Sequence, residues 1–227
     1  MEYRNIKQAT FINRPNRFIA NIEIDGNMEI CHVKNTGRCK ELLIPGAKVF
    51  VQVSDSKTRK TKYDLIAVYK GNKLVNIDSQ VPNKVFHEWL LKSNLIKNIT
   101  TITPEAIYGQ SRFDFYIETG DSRKIFIEVK GVTLEEDGVA MFPDAPTERG
   151  VKHITELCYC IDKGYEAYIV FIVQLKDVLY FTPNDATHKA FGDALRTANN
   201  KGVNVIALDT WVTENSISVG DYVDVKL

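Results

Sequence analysis

The chain has 227 residues, 44% of them hydrophobic and 26% charged, a composition typical of a water-soluble globular protein. No apolar run approaches the roughly 18 residues of a membrane-spanning helix, and the first residues lack the features of a secretory signal. We therefore predict a cytoplasmic protein without a membrane partner. The net charge of zero hides an asymmetry, because residues 1–80 have a balance of +6 and residues 81–227 a balance of −6. A basic half beside an acidic half is typical of an anion-binding module joined to another unit, although chance unevenness gives the same pattern.

The first 80 residues are predicted to form strands. Two alternating stretches flank Asp25-Gly26-Asn27, which indicates a hairpin because these residues tolerate positive φ. The predicted strands cover residues 18–24, 28–33, 49–53, 65–69 and 74–77. Five short strands without a helix favour an OB-like five-stranded β-barrel over residues 1–80.

A basic run at residues 57–63 is predicted to be a hairpin tip of this barrel. Its cations are candidates for gripping phosphates, and Tyr63 is a candidate for stacking on a base. A solvated tip that keeps a strand edge soluble is the open alternative. The candidate nucleic-acid contacts are Lys57, Arg59, Lys60 and Lys62.

The pattern changes at residues 81–83, where Pro82 stops a strand and Asn83 is a candidate helix cap. We place a domain boundary here and assign residues 81–227 to a second domain. It contains two strands, a helix, an apolar strand at residues 168–173, a short strand, a helix and a last strand. Because residues 168–173 are apolar on both faces, they indicate a central strand covered on both sides. The second domain is therefore predicted to be an α/β sandwich, which makes the whole chain α/β (α+β overall).

Residues 112–117 and 125–130 are predicted to pair as a hairpin. Side chains alternate between the two faces of a strand, and every odd position of both strands is apolar, which places these residues on one buried face. Pairing Ile117 with Ile125 sets Asp114 opposite Glu128, and Lys130 projects from the face of Glu128.

Two facing carboxylates repel each other and destabilise a hairpin unless a cation lies between them. Mg²⁺ takes carboxylate oxygens, and a nearby lysine can orient water or offset developing charge. Asp114, Glu128 and Lys130 are therefore candidates for a metal-dependent catalytic site, with Mg²⁺ or Mn²⁺ as the cofactor. A charged outer face of the sheet, with Lys130 screening two acids, is the alternative.

The hairpin pattern resembles that of the PD-(D/E)XK nuclease superfamily. Longer strings are more specific, and together they resemble the sugar fermentation stimulation protein A family over nearly the whole chain. These strings are Asn35-Thr36-Gly37-Arg38, Glu41-Leu42-Leu43-Ile44-Pro45-Gly46-Ala47, Ser111-Arg112-Phe113-Asp114-Phe115, Ile127-Glu128-Val129-Lys130-Gly131 and Phe142-Pro143-Asp144-Ala145-Pro146-Thr147-Glu148-Arg149-Gly150.

The resemblance implies a DNA-binding protein with an OB-like domain, a nuclease-like domain and a link to sugar (maltose) metabolism. It makes Asp114 and Glu128 metal ligands and Lys130 the catalytic lysine. A further acid from the preceding helix is implied as a ligand, for which Glu88 is the first candidate and Glu105 the second. Arg38 and Arg112 lie within the shared strings and join the candidate nucleic-acid contacts.

A helix is predicted to begin at Thr147, a plausible N-cap, and to end at Gly164. Beside its apolar stripe, a second face contains Arg149, Lys152, His153 and Glu156. If that face borders the hairpin, Arg149 and Lys152 contact phosphates, and His153 makes a backbone or phosphate contact rather than a metal bond. A solvated helix face is the alternative.

Three functions remain open from the sequence. The first is a metal-dependent nuclease acting on DNA or RNA, and the second is a DNA-binding regulator that does not cleave. The third is a binding module for another polyanion or a nucleotide. No helix-turn-helix with a basic recognition face supports sequence-specific reading. DNA is the predicted partner, with RNA and a homodimer left open.

Overall fold

A computed structural model of the chain describes residues 1–35, 37–55 and 58–227. Its N-terminal strands form one six-stranded sheet in the order β3-β2-β1-β4-β5-β6. A parallel pairing of β3 with β5, from Cys31↔Tyr63 to Val33↔Leu65, closes β1 to β5 into a barrel. The strands are β1 (Ile6–Asn16), β2 (Ile19–Ile24), β3 (Asn27–Val33), β4 (Lys48–Val53), β5 (Tyr63–Lys70) and β6 (Lys73–Asn76).

The five-stranded barrel is confirmed, but one of its strands differs from the prediction. The missed strand is β1, in which Ala9 and Phe11 are the only fully buried residues. The strand counted in its place is β6, which pairs with β5 and lies outside the closed ring. The predicted hairpin is present, since Ile24 pairs with Asn27. Its two turn residues, Asp25 and Gly26, have φ values of 52° and 76°, as a type I′ turn requires.

The second half of the chain is built on a six-stranded sheet in the order β15-β14-β12-β9-β8-β7, with a small sheet β10-β11-β13 beside it. Its helices are α1 (Val81–Leu90), α2 (Glu148–Asp162) and α3 (Asp185–Lys201). Its strands are β7 (Ile99–Tyr108), β8 (Ser111–Thr119), β9 (Lys124–Val132), β10 (Leu134–Glu136), β11 (Val139–Phe142), β12 (Glu166–Val173), β13 (Tyr180–Pro183), β14 (Asn204–Val212) and β15 (Ile217–Val223).

The central strand β12 shows how the sandwich is layered. It pairs in parallel with β9 on one side and β14 on the other. Val170 and Ile172 pack in the core cluster that contains Phe86 of α1. Ile169 and Phe171 pack in the cluster that contains side chains of α2 and α3. Because alternate side chains of one strand enter both layers, the predicted α/β sandwich around a central apolar strand is confirmed.

Helix α1 lies between the barrel and the sheet. Its Val81 and Val85 pack with Phe50 and Ile66 of the barrel, while Phe86 packs against the sheet. The helix begins three residues earlier than predicted, with Gln80 at the N-cap position and no side-chain cap bond. Asn83 is therefore not the cap, and its side chain is free to point at the sheet.

The four cysteines are free and buried. Burial raises the pKa of Cys31, Cys39 and Cys160 to about 12, with help from nearby carboxylates or thiols. Burial also raises the pKa of Cys158. None of the helices in the described part of the chain combines the length and apolar character needed to cross a bilayer.

The basic segment before β5 differs in part from the prediction. Tyr63 is only 3% exposed, so the base stacking proposed for this ring is wrong. Arg59 donates to both oxygens of Asp64, at 2.9 and 2.5 Å, and this bidentate pair occupies the guanidinium. Lys60 and Lys62 are exposed. Lys57, the remaining predicted contact, lies outside the described residues.

Asp64 should make the stability of the protein depend on pH. Burial alone raises its pKa, but hydrogen bonds from Arg59 and the charge of Lys34 outweigh this and lower the pKa to about 2. A carboxyl with a lowered folded-state pKa stabilises above its unfolded pKa, and this stabilisation is lost as the pH falls toward the folded value. Asp64→Asn should therefore lose about 2 kcal/mol of unfolding free energy at pH 7, measured by urea denaturation.

The loss caused by Asp64→Asn should shrink steadily when the urea titration is repeated below about pH 5. Asp25→Asn is the matched control, because Asp25 pairs with Lys7 on an exposed surface and such pairs contribute little. A deficit for Asp64→Asn that stays constant at all pH values would contradict the assignment.

Candidate active site

The β8–β9 hairpin has the register expected from the sequence. Phe115 pairs with Ile127 and Ile117 pairs with Ile125. Backbone pairing between the two strands ends at Phe115, which directly follows Asp114 in the chain. There the contact passes to a side chain, since the backbone N–H of Val129 donates to Asp114 Oδ2 at 2.7 Å. The two strands therefore stay joined at Asp114 by a carboxylate instead of by a backbone pair.

Strand β8 changes face at this point, which the sequence did not indicate. Phe115 packs against Phe86 of α1, with 5.8 Å between ring centroids. Phe113 packs instead near His153 of α2, at 6.1 Å, and belongs to the other core cluster. The prediction that Phe113 and Phe115 share one buried face is therefore wrong. The change of face allows Asp114 to contact α1, while Glu128 contacts α2.

Asp114 is held by α1 as well as by β9. Asn83 Nδ2 donates to Asp114 Oδ1 at 2.6 Å. Burial and the negative charge of Glu128 raise the pKa of Asp114 above its usual value, against the lowering effect of the bonds from Val129 and Asn83. Asn83 thus fixes the rotamer of Asp114. Its hydrogen bond also favours the ionised form, which burial and the charge of Glu128 disfavour.

The role of Asn83 was missed in the sequence, although a signal for it exists. Asn83, Phe86 and Leu90 follow at spacings of three and four, so they share one face of α1. Phe86 and Leu90 are buried in the core cluster that faces the sheet. A polar residue one turn before them on the same face is expected to reach the sheet.

Glu128 is 3% exposed and has partners from two elements. Lys130 Nζ lies 2.5 Å and His153 Nδ1 lies 2.6 Å from its Oε1 atom. Burial by itself raises the pKa of Glu128, but the bonds from His153 and Lys130 and the lysine charge outweigh it, so the pKa is lowered. Its Oε2 atom is buried without a hydrogen-bond partner among the described residues.

His153 holds Glu128 instead of contacting solvent. Its side chain is 6% exposed, and Arg149 Nε donates to His153 Nε2 at 3.3 Å. Since Nε2 accepts, the ring proton lies on Nδ1 and is donated to Glu128. This buried placement replaces the backbone or phosphate contact expected for His153 from the sequence.

The helix face containing these residues does border the hairpin. Thr147 Oγ1 accepts from Gly150 N at 3.0 Å, which confirms the predicted N-cap of α2. Lys152 Nζ donates to the carbonyl of Gln110 in the β7–β8 turn at 3.0 Å. Arg149 and Lys152 are exposed, so this edge of the site is basic.

The two acids proposed as a helix-borne ligand lie elsewhere. Glu88 is half-exposed, and the ammonium of Met1 lies 2.8 Å from its Oε2 atom. Glu105 has an exposed side chain that pairs with Arg112 at 3.5 Å. The described structure shows no contact of either acid with Asp114 or Glu128. The polar group that α1 supplies to the site is the amide of Asn83.

The donor set suits a hard divalent cation. It consists of two carboxylates, one of which has a buried oxygen that no described residue contacts through a hydrogen bond. In the part of the chain that the structure describes, no group of three or more His, Cys, Asp and Glu side chains is arranged to hold a metal. Mg²⁺ is commonly bound by one or two carboxylates and keeps several waters. Asp114 and Glu128 therefore fit such an ion, with water as its remaining ligands.

A closed five-stranded barrel followed by an α/β sandwich defines a protein with an OB-like domain and a second α/β domain that contains the carboxylate–lysine hairpin. Family models match both parts, as "SfsA N-terminal OB domain" over residues 12–77 and "Sugar fermentation stimulation protein RE domain" over residues 80–216. The chain therefore belongs to the sugar fermentation stimulation protein family.

Individual relatives match over the full length. The sugar fermentation stimulation protein homolog of Clostridium beijerinckii is 62% identical over 227 residues and covers 100% of both chains. The homolog of Desulfitobacterium hafniense strain Y51 is 64% identical over 100% of this chain and 99% of its own. The solved structure of Pyrococcus furiosus SfsA in complex with Ca²⁺ is 31% identical, with a TM-score of 0.90 over 100% of this chain and 98% of that chain.

The bond from His153 to Glu128 should contribute measurably to stability. His153→Phe keeps a ring in the buried position but removes the donor. An under-satisfied buried carboxylate should lower the unfolding free energy by about 1–3 kcal/mol, measured by urea denaturation at pH 7. Tyr159→Phe, at an exposed position of the same helix, is the control and should change it by less than about 0.5 kcal/mol. Equal stability of His153→Phe and the wild type would argue against this role.

Proposed function

We propose that this protein hydrolyses phosphodiester bonds of nucleic acid, DNA foremost, with a divalent metal ion at the β8–β9 hairpin. The observation that carries the proposal is the placement of Asp114 and Glu128 beside Lys130, with Glu128 Oε2 buried and without a partner among the residues that the structure describes. An unpartnered buried carboxylate oxygen is costly, and a metal ligand role accounts for it. Mg²⁺ or Mn²⁺ is the expected ion, and the Ca²⁺ complex of the Pyrococcus relative supports a divalent site.

Each residue has a distinct part in this proposal. Asp114 and Glu128 hold the ion, which when bound polarises the phosphate and lowers the pKa of a coordinated water. Lys130 presents its ammonium beside Glu128 and offsets negative charge that develops on the phosphate. His153 keeps Glu128 ionised and oriented, and Asn83 does the same for Asp114. Both are positioning residues.

Nucleic acid is the substrate class that the surroundings favour. Arg112, Arg149 and Lys152 are exposed next to the hairpin, and cations at such positions bind phosphates through salt-dependent contacts. The barrel belongs to the OB class, which binds oligonucleotides in many proteins. Lys60 and Lys62 extend the cationic surface onto the barrel, and the exposed Arg38 adds a further cation there. RNA satisfies the same contacts and is tested beside DNA.

A second candidate is a DNA-binding regulator of sugar metabolism that does not cleave. It is favoured because hydrogen bonds within the protein already occupy oxygens of both acids. Both oxygens of Asp114 accept hydrogen bonds, and Glu128 Oε1 is shared by Lys130 and His153. In this alternative the charged residues of the hairpin stabilise the fold, and the basic surface regulates by binding DNA without cleaving it.

The cleavage test uses supercoiled, linear and single-stranded DNA, and RNA, with Mg²⁺, Mn²⁺ or EDTA. We expect metal-dependent products from the wild type, and a loss of about 100-fold or more in rate for Asp114→Asn, because the substitution removes a charged ligand. Asp121→Asn is the matched control, since Asp121 lies in the exposed turn of the same hairpin and should cleave like the wild type.

Two results would reject hydrolysis. One is an absence of products under all metal conditions, accompanied by salt-sensitive DNA binding that Asp114→Asn leaves unchanged. This outcome selects the non-cleaving regulator. The other is cleavage that persists in Asp114→Asn at the wild-type rate, which would point to a contaminating nuclease.

Asn83 should control metal affinity without binding the metal itself. Asn83→Ala removes the donor to Asp114, so the carboxylate loses its fixed rotamer, and we expect about 5–10-fold weaker binding of Mn²⁺ by isothermal titration calorimetry. Asn94→Ala, in the loop after α1, is the control and should bind Mn²⁺ like the wild type. Unchanged affinity in Asn83→Ala would remove Asn83 from the site.

A further inference from the structure

A cleft of about 590 Å³ opens between the barrel and the α/β domain. One wall comes from the barrel, through residues that include Arg17, Arg38 and Ser79, and the other comes from the segments after β9 and β11, through Gly131, Asp144 and Thr147. The volume lies within the range of small-molecule sites in proteins, about 300–1,000 Å³. Residues of two sequence strings that carry the family resemblance meet here, namely Asn35, Gly37 and Arg38 of one and residues 142–147 of the other.

Two elements connect the cleft to the hairpin site along the chain. Gly131 follows Lys130 in β9, so its Cα lies only about 3.8 Å further along the chain. Thr147 caps α2, the helix that brings His153 to Glu128. Pro82 of α1 also packs here, since a Cβ added to Gly131 would lie 2.7 Å from Pro82 Cγ. A ligand in the cleft would therefore contact the chain at Gly131, one residue beyond Lys130, and at the N-terminal end of α2.

The barrel wall is preformed by Arg14. Its guanidinium donates to four backbone carbonyls, those of Arg17 at 2.6 Å, Asn35 at 2.7 Å, Arg38 at 2.8 Å and Gly37 at 3.0 Å. One side chain thus holds the backbone of Asn35, Gly37 and Arg38 against that of Arg17. A wall that is already ordered loses little entropy when a ligand binds.

The two walls are also fastened to each other. Arg38 N donates to Asp144 Oδ2 at 3.0 Å, which joins the barrel loop to the segment before α2. Gly37 faces the same carboxylate, and a Cβ added there would lie 2.3 Å from Asp144 Oδ2. A side chain at position 37 would displace the Asp144 carboxylate, so the contact that joins the two walls depends on this glycine.

The chemistry of the rim selects an anionic ligand with an aromatic part. Arg17 and Arg38 place two exposed guanidinium groups at the opening. Phe18 is 49% exposed and lies beside Arg17, with 6.0 Å from the guanidinium carbon to the ring centroid. An exposed ring next to a cation is the arrangement that stacks a base while its phosphate is neutralised.

We propose that this cleft binds one nucleotide of the strand that is cleaved at the hairpin. Arg17 and Arg38 contact its phosphate, and Phe18 stacks on a neighbouring base at the rim. The proposal deepens the proposed function, because it assigns a nucleotide subsite to the same nucleic-acid substrate.

The test is fluorescence anisotropy with a 5′-labelled single-stranded DNA of twelve nucleotides in EDTA, so that no metal contributes to binding. Ala145 lines the cleft, and Ala145→Trp introduces a bulky indole ring there. We expect binding about 10-fold weaker for Ala145→Trp and about 5-fold weaker for Arg38→Ala, with a smaller salt slope for Arg38→Ala because a phosphate contact is lost.

One control accompanies these variants. Lys189→Ala removes an exposed cation on α3 that does not line the cleft, and it should keep the wild-type affinity. Thermal denaturation establishes that Ala145→Trp is folded. If that variant unfolds, Arg38→Ala and Phe18→Ala decide the question, since both side chains lie at the surface.

The outcomes separate this proposal from the proposed function. Folded Ala145→Trp with wild-type affinity, or Arg38→Ala and Phe18→Ala both with wild-type affinity, overturns the cleft assignment even if the hairpin cleaves DNA. Weaker binding in the cleft variants supports the assignment even if no metal condition gives cleavage.

Discussion

A buried carboxylate must be paired, and this constraint on Glu128 organises the centre of the α/β domain. Removing an ionised carboxylate from water costs several kcal/mol unless hydrogen bonds and opposite charge compensate. Lys130 from the same strand and His153 from α2 provide that compensation at one oxygen. The helix is therefore held against the sheet by a polar contact as well as by its apolar stripe. The second oxygen keeps its coordination capacity.

Asp114 and Glu128 are anchored to opposite layers of the sandwich. Asn83 reaches Asp114 from α1, and His153 reaches Glu128 from α2. Strand β8 changes face between Phe113 and Phe115, which allows neighbouring acids to be fixed from both sides. The geometry of the site thus depends on both helices being packed, and a change in either layer alters the relation between the two carboxylates.

The sequence predicted the elements that have a regular apolar pattern or a characteristic turn or cap residue. The Asp25-Gly26 turn, the pairing of Ile117 with Ile125, the apolar β12 and the Thr147 cap follow from local chemistry. Strands such as β1 and β7 escaped because few of their side chains are buried, so no alternation marks them. The sequence brought Asp114, Glu128 and Lys130 together as candidates, but it named Glu88 as the group from α1 because the resemblance implied an acid, and it read Asn83 only as a helix cap. Which helix residue reaches Asp114 depends on the packing of Phe86, and that contact is distant in sequence.

The reactivity of the four buried thiols can report when the part of the fold around them opens. With pKa values raised by burial, they carry almost no thiolate at neutral pH, and the thiolate is the form that alkylating reagents attack. Cys31 and Cys39 lie in the barrel region, and Cys158 and Cys160 lie on α2, so the two pairs become reactive only when their own part of the fold opens. Alkylation followed by mass mapping of each cysteine can therefore distinguish local opening of the barrel from opening of the α/β domain. A cysteine added at the surface can be labelled selectively while the native four remain in place.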